Sequence, residues 1–392
     1  MLKVLRFIHR RELRDWLWGV SLLLAAAALV AAPGEAAAGA KNGLSLCFNV
    51  IVPSLFPFFV LSSLVVDMGL AACLGRALEG IMKPLFRVSG SCAAAVALGF
   101  IGGYPVGART ALQLYRQGLC SKTETERLLA FCNNSGPAFI LGVVGAGVFN
   151  DSRIGLLLYC THAAASLVVG ILFRFYGRAK DIRTATRPKP IKAVTFPAAL
   201  TGAVNQALQS TLSICAFVVF FAMVLHLLST WGVVPALAGL FVRLGLPPEW
   251  AELLTAGILE LSSGVTSLMG GSGVTGRASM AAFMLGWAGL SVHCQVLSFL
   301  ADSELSPKTY LAGKLCHGLI AAALTWLVAR ITPLSEPVSS YLIDQTESIA
   351  TLDFSTTLGV SLVTAFAAWL LLVGIAGTLI RKKCGKKSMY HL

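Results

Sequence analysis

Residues 98–109 read LGFIGGYPVGAR and lie in a chain whose other long segments are almost entirely apolar. Gly102, Gly103 and Gly107 permit backbone conformations outside the helix, and Pro105 removes a backbone donor. A helix that crosses a membrane keeps its backbone hydrogen-bonded, because the bilayer core offers no water to replace a lost bond. The stretch therefore predicts a break at membrane depth whose backbone groups need protein, water or a ligand as partners.

The composition is typical of a helical membrane protein. Of the 392 residues, 56% are hydrophobic and 12% are charged, whereas a soluble domain carries about 25% charged residues. Several apolar stretches reach or approach the roughly 18 residues that span a bilayer, and the clearest are 16–32, 44–66, 154–173, 278–300 and 360–380. We predict an all-α polytopic membrane protein with about eight transmembrane helices and two re-entrant hairpins.

The net charge of +13 is concentrated at the ends of the apolar segments. Basic residues cluster before residue 15, between 174 and 192, and after 380, whereas 334–355 contains acidic residues and no Lys or Arg. Because positively charged segments stay on the cytoplasmic side, both termini and the linker are predicted to be cytoplasmic, in the cell membrane. This distribution indicates membrane topology, and we do not expect a nucleic acid partner.

Two further features of the composition bear on processing and on metals. The first apolar run resembles a cleavable signal peptide, but it is longer than the usual apolar core of one, so we expect a retained helix. The ten cysteines lie mostly inside apolar segments and lack the spacing of metal ligands. We therefore expect neither a metal nor a cofactor.

The charges that flank each segment divide the chain into two halves with the same order of elements. Both ends of residues 91–118 favour the cytoplasmic side, so this piece is predicted to enter the membrane and return as a hairpin. Residues 249–275 are predicted to do the same from the other side. Each half then holds three spans and one hairpin, and an odd number of spans inverts the second half. Interrupted elements at corresponding places of an inverted repeat are typical of secondary transporters.

The same reasoning predicts the division of the chain. The parts are an N-terminal tail with the first helix (1–42), a first repeat (43–177), a basic cytoplasmic linker (178–195), a second repeat (196–332), an acidic extracytoplasmic loop (333–356) and a last helix with a basic tail (357–392).

A second interruption, FCNNSGPAF at 131–139, lies inside a predicted span. Asn133, Asn134 and Ser135 precede a Gly-Pro pair that ends at Pro137. Side-chain amides both donate and accept hydrogen bonds, which suits an uncharged polar molecule, and polar groups at this depth need a partner. The alternative is that they hold helices together or cap the hairpin backbone.

The other two interruptions lie in the second half. ILELSSGVTSL at 258–268 carries Glu260, an acid between apolar neighbours, for which Arg277 is the structural alternative to a role in coupling. In AGLSVHCQVLSF at 288–299, Ser291, His293 and Gln295 alternate with apolar residues, which predicts local unwinding. His293 is either a group that titrates near neutral pH or a packing residue.

The predicted site collects these groups near the membrane midplane. The substrate-binding residues are Gly103, Tyr104, Asn133, Asn134, Ser135, Glu260, Ser262, Ser263, Ser291, His293 and Gln295, and the hairpin backbone residues are Gly102, Pro105, Gly107, Pro137 and Gly264. We expect Glu260 or His293 to couple movement to protons or sodium, and we expect His162 and His317 to be helix–helix contacts. No catalytic set is evident and we do not expect an enzyme; a hydrolase using Ser263 or Ser291 with His293 is the weaker alternative.

These motifs together resemble a known family. GFIGGYPVGA, LLAFCNNSGPAFILG, LELSSG and GLSVHCQV, with PSLFPFFVLSSL at 53–64, are similar to the YlbJ-type sporulation integral membrane proteins. Such proteins carry the nucleoside-recognition Gate domain, which is similar to parts of concentrative nucleoside transporters and spore maturation proteins. The resemblance covers about residues 43–330 and implies a spore-forming bacterium and a role in making resistant spores. The GQTE-like hairpin motif of those transporters is not kept here, and Glu260 is the one residue that supplies an acid at a comparable place in a hairpin.

Two functions stay open at this point. The preferred one is a transporter-like protein of sporulation with a midplane site between two hairpins. The other is a membrane scaffold or assembly factor for the spore envelope, whose basic linker and tail bind partners or anionic lipid. The expected partners are the lipid bilayer, a small polar solute that is nucleoside-like or of another class, with proton or sodium coupling, and a second copy of the chain in a homo-oligomer.

Overall fold

The computed structural model describes residues 16, 19–20, 23–68, 70–177, 196–269, 273–332 and 334. Within these ranges every regular element is a helix, which confirms the all-α class. The predicted linker 178–195, the last helix with its tail, nearly all of the acidic loop and most of the N-terminal tail lie outside the described residues.

The helices are numbered in chain order. They are α1 (Leu23–Ala31), α2 (Pro33–Leu46), α3 (Val52–Asp67), α4 (Leu70–Phe86), α5 (Ala93–Gly102), α6 (Val106–Arg116), α7 (Lys122–Leu129), α8 (Ser152–Phe173), α9 (Phe196–Thr230), α10 (Val233–Arg243), α11 (Pro248–Leu259), α12 (Leu261–Thr266), α13 (Val274–Trp287), α14 (Gly289–Leu300) and α15 (Lys308–Ile331), with π-helical segments Cys47–Ile51 and Ala138–Val148 and a short 3-10 turn Gly90–Cys92.

Four helical segments of the described ranges are long and apolar enough to cross a membrane. They are α8, α9, the joined pair α13–α14 and α15. Two sharply bent pairs raise the number to six if each pair is one span: α1 bends by 96° into the helix that begins at Pro33, and Leu78–Phe86 bends by 93° into Gly90–Gly102. By length and composition, the described ranges therefore hold four to six candidate spans.

The two halves of the described chain repeat one order of elements. In the first half, α3 and α4 precede the hairpin α5–α6, a broken helix made of α7 and Ala138–Val148, and the continuous α8. In the second half, α9 and α10 precede the hairpin α11–α12, the broken helix α13–α14 and the continuous α15. That each half holds three spans and one re-entrant hairpin, and that the halves are inverted in the membrane, stays a prediction.

The centre of the molecule lies where the continuous helices of the two halves meet. Helix α15 packs against both α8 and α13. Close approach depends on small residues, because a Cβ on Gly286 of α13 would lie 2.6 Å from the Cα of Gly318 of α15. Leu172 of α8 and Leu212 and Phe220 of α9 are instead largely exposed. Such large apolar surface suits contact with lipid, and it leaves the polar groups on the inner faces.

Candidate functional site

The tip of the first hairpin packs directly on the backbone of the first broken helix. Gly103 has a φ of 76°, and a Cβ at this position would lie 2.9 Å from the backbone nitrogen of Gly136. Gly99 and Gly107, one on each arm of the hairpin, both lie against the Cys132 carbonyl with no room for a Cβ. The glycines of residues 98–109 thus allow the backbones of the first hairpin and the first broken helix to meet at close range.

The second hairpin meets the second broken helix in the same way. Helix α13 ends before Ala288, whose φ is 81°, and a Cβ on Gly289 would lie 2.8 Å from the backbone nitrogen of Leu261 at the hairpin tip. Trp287 Nε1 donates across the same contact to the Ile258 carbonyl at 3.2 Å. In each half, therefore, a hairpin tip rests on a helix break.

The prediction of unwinding at Ser291, His293 and Gln295 is wrong. All three residues are helical within α14, and the break lies earlier, at Ala288 and Gly289. Each of the three is buried, although alternate residues of a helix point in nearly opposite directions. Helix α14 is covered by other elements on most of its sides, so its buried polar residues do not lie on one face. Their alternation with apolar residues therefore did not indicate unwinding.

Glu260 forms the tip of the second hairpin and caps the helix that follows it. Its backbone is extended, with φ −142° and ψ 122°, and the residue is 7% exposed. Its Oε1 accepts from the backbone N–H of Ser262 at 3.0 Å, and its Oε2 accepts from the backbone N–H of Ser263 at 2.6 Å. A carboxylate at a helix N-terminus satisfies N–H groups that have no partner in the helix and interacts well with the helix dipole.

The two asparagines of the first break have different surroundings. Asn134 Nδ2 donates to the Phe131 carbonyl at 3.0 Å, which stabilises the break itself. Asn133 Oδ1 instead accepts from the backbone N–H of Ala108 in the hairpin at 3.4 Å. Both side chains are fully buried. In the described ranges Asn134 Oδ1 has no hydrogen-bond partner, and Asn133 Nδ2 has no close partner but faces the Tyr310 hydroxyl. A donor of Asn133 and an acceptor of Asn134 are thus available for a further hydrogen bond, although buried polar groups are normally paired.

The backbone of the first break is held by the continuous helices. Ser135 donates its N–H to His162 Nε2 of α8 at 3.1 Å. The Asn133 carbonyl accepts from Lys314 Nζ of α15 at 3.0 Å. Since both partners are far away in the sequence, the conformation of the break depends on tertiary structure.

Lys314 is the residue of this site that sequence reasoning missed. It lies inside α15 and is fully buried, and its Nζ donates to Tyr104 Oη of the hairpin tip at 2.7 Å. Basic residues at the ends of spans carry the topology signal, and Lys314 is not one of them. The usable signal was spacing, because Tyr310, Lys314 and His317 follow one another by four and three residues and therefore share one helix face.

The three histidines of this region, His162, His293 and His317, lie in two places. His162 and His317 pack against each other across the contact of α8 and α15, with ring centroids 4.3 Å apart and ring planes tilted by 41°, which agrees with the predicted helix–helix contact. His293 lies 3.0 Å from Tyr310 Oη through its Nδ1, and its ring centroid is 4.3 Å from that of Trp287. His293 is therefore enclosed by aromatic side chains.

The structure thus brings together part of the predicted site. Tyr104, Asn133 and Ser135 are joined to one network through α8 and α15, and Glu260, Ser262 and Ser263 form a separate cap in the second hairpin. Ser291 and Gln295 are buried in α14, and no side-chain hydrogen bond in the described ranges connects them to either group. The described residues include no cluster of three or more His, Cys, Asp or Glu side chains that could hold a metal ion.

Known proteins share these elements. A family model named Gate, described as nucleoside recognition, matches residues 48–179, which include the first hairpin, the first break and α8. Over 333 residues the chain is 30% identical to the Sporulation integral membrane protein YlbJ of Bacillus subtilis (strain 168), with 78% of this chain and 80% of that protein covered. The chain belongs to the YlbJ family. Membership confirms the resemblance inferred from the hairpin and break motifs.

The chain is also similar to solved structures. CNTnw in an inward-facing substrate-bound state has a TM-score of 0.44 and 17% identity, with 80% of this chain and 86% of that chain covered. A single-residue variant of CNTnw in its intermediate 3 state has a TM-score of 0.42 and 18% identity, with 82% and 88% covered. Together, YlbJ family membership and the apolar helices make this chain a multi-pass membrane protein.

Proposed function

We propose that this chain is a transporter-like protein of sporulation that binds and moves a small polar solute at the membrane midplane, between its two hairpins. The observation that carries the proposal is the contact of a hairpin tip with a helix break in both halves, next to unpaired polar groups. Interrupted helices at corresponding places are the usual construction of a transporter binding site. The link to sporulation comes from the relative YlbJ.

The free groups of the asparagines indicate the class of solute. Asn133 Nδ2 offers a donor and Asn134 Oδ1 offers an acceptor, and both are neutral. A molecule with a complementary acceptor and donor, such as an amide or the edge of a nucleobase, would pair with both. This agrees with a nucleoside-like solute, the class named in the description of the Gate family.

Solute entry requires movement, because the described state is closed. Asn133, Asn134 and Ser135 are at most 2% exposed. The tip contacts at Gly103 and at Gly289 are made by backbone, so opening a tip there mainly requires the hydrogen bonds of Tyr104 and Trp287 to separate. Under alternating access, one hairpin opens the site toward each side of the membrane.

Cysteine accessibility tests this movement. We would label Asn134→Cys and Ser263→Cys with a membrane-impermeant thiol reagent from each side, with the exposed position Lys308→Cys as a positive control and the parent chain as the background. We expect labelling at both midplane positions, each faster from one side. If neither position reacts from either side while Lys308→Cys does, the midplane site is refuted.

A ligand screen by thermal shift on the purified protein tests the solute class. A solute at about 100 times its Kd stabilises a protein by about 2.7 kcal/mol, which is a shift of several degrees. We expect the shift from a nucleoside or another neutral polar molecule, and we expect Asn134→Ala to abolish it. Asn49→Ala, at an exposed asparagine, is the matched control and should keep the shift.

A scaffold or assembly role is the second candidate, and specific contacts favour it. The Asn134 side chain stabilises the first break, and the Glu260 carboxylate caps the tip of the second hairpin. The variant Glu260→Gln separates the two functions. Normal protein level with lost sporulation indicates a chemical role for the carboxylate, whereas a parallel loss of protein and sporulation indicates a structural one.

A further inference from the structure

The ammonium group of Lys314 is surrounded by hydrogen-bond acceptors from separate elements. Its Nζ donates to Tyr104 Oη at 2.7 Å and to the Asn133 carbonyl at 3.0 Å, and it lies 3.4 Å from His317 Nδ1. It also lies 4.6 Å from the centre of the Tyr104 ring, within the range of a cation–π interaction. A charged lysine has three N–H donors, and this arrangement offers an acceptor for each.

The neighbouring contacts determine that these partners are acceptors. Tyr104 Oη gives its own proton to the Leu285 carbonyl at 2.6 Å, so it presents a lone pair to Lys314. His317 Nε2 lies 2.9 Å from the His162 carbonyl, which can only accept, so Nε2 carries the proton and Nδ1 presents its lone pair. The three acceptors are therefore neutral and point at one cation.

Within the described ranges, the partners of the Lys314 ammonium are neutral groups. None of the ion pairs in the described part of the chain involves Lys314. Charged residues inside a membrane protein are costly and usually pair with a counter-charge or with carbonyl groups. A set of neutral carbonyl and hydroxyl oxygens that replaces the hydration shell is a way in which proteins hold a monovalent cation.

We infer that Lys314 supplies a built-in monovalent cation that holds the first hairpin on the first broken helix. Tyr104 belongs to the hairpin tip, Asn133 belongs to the break, and Lys314 and His317 belong to α15 of the other half. The ammonium thus connects three elements whose separation would open the first half, and it does so with a cation that cannot diffuse away. This inference rests on the contacts of the closed arrangement and stands whether or not a solute is moved.

Chemical rescue tests the inference. Lys314→Ala removes the ammonium and most of the side chain but leaves the three acceptors, so a small free cation should take its place. We would measure the Tm of the purified full chain while titrating methylammonium, potassium, sodium and choline chlorides. We expect a saturable rise of about 5 °C with at least one of the small cations and none with choline, which is too large for the space.

The matched variants decide between a specific site and a general effect of salt. Lys308→Ala removes an exposed lysine of the same helix, and Lys314→Met fills the space with an uncharged chain of similar length. We expect no saturable rise for either variant or for the parent chain. If Lys314→Ala responds to the small cations in the same way as Lys308→Ala, the inference is overturned.

A folding failure of Lys314→Ala would not leave the question open. The same titration would then be made on Lys314→Ser, whose hydroxyl leaves the space free, with cation present from extraction onward. Recovery of folded protein in a small cation but not in choline supports the inference, and aggregation in every salt overturns it. Because no solute is added, a negative result here leaves the solute-binding proposal to its own tests.

Discussion

The two contacts between hairpin and broken helix share a plan but differ in what stabilises them. The first break extends from the end of α7 at Leu129 to Ala138, and side chains of α8 and α15 satisfy its backbone. The second break consists of two left-handed residues, Ala288 and Gly289, and its hairpin tip is capped locally by Glu260. The first contact therefore depends on the packing of the two halves, whereas the second depends mainly on residues close in the sequence.

The largest expected effect is at the close contact of the first hairpin. Gly107→Ala places a Cβ against the Cys132 carbonyl, and backbone cannot move aside as a flexible side chain can. We expect a loss of about 3 kcal/mol or more in the free energy of unfolding and little monodisperse protein after extraction. Size-exclusion chromatography of the extracted protein measures this.

Gly202→Ala on α9 is the control for this steric effect, because a Cβ there has nothing within 4 Å. Equal yields and equal Tm values for the two variants would show that the contact with the Cys132 carbonyl is looser than described.

The next effect concerns the tertiary support of the first break. His162→Phe keeps a ring at the α8–α15 contact but removes the acceptor for the Ser135 N–H, which is then buried and unpaired. We expect a cost of about 1–3 kcal/mol, measured by thermal unfolding. His226→Phe, at a half-exposed histidine that pairs with Glu35, should cost less. The opposite ranking would contradict the role of α8 in holding the break.

A smaller effect is expected at the local cap of the second hairpin. Glu260→Gln keeps one oxygen for the N–H groups of α12 but removes the charge and the second acceptor. We expect a cost of about 1 kcal/mol and faster hydrogen exchange confined to α12. Glu249→Gln, at an exposed acid of the same hairpin, is the control. Faster exchange that spreads to the first hairpin would contradict the local nature of this cap.

The smallest effect is expected away from both contacts. The hydroxyl groups of Thr161 and Thr325 form a buried hydrogen bond of 2.7 Å between α8 and α15. Thr161→Val should cost about 0.6 kcal/mol, the average for a hydrogen bond between membrane helices. The double change with Thr325→Val should cost no more, because it leaves no unpaired group, and a clearly larger cost would show that this pair supports the first break as strongly as His162.

Much of the architecture was predictable because it is local. The apolar stretches 154–173 and 278–300 predicted α8 and the joined pair α13–α14 to within four residues, and Gly102 with Pro105 predicted the turn of the first hairpin. The element order of the two halves followed from the alternation of charged ends and polar interruptions. At the second break, however, the polar residues of α14 indicated a position three residues too late, because burial on several sides removed the usual relation between polarity and helix face.

The sequence by itself determined the class of this protein, the positions of the first hairpin and the first helix break, and the family to which it belongs. These features depend on apolar length, on glycine and proline, and on motifs that are continuous in the chain. Only the tertiary structure decided which groups meet at a break. Lys314 reaches Asn133 and Tyr104 across 181 and 210 positions of sequence, and no local pattern encodes that contact. Its physical reason is the burial of one ammonium, which needs acceptors from the hairpin and from the break that only the packing of both halves can bring to it.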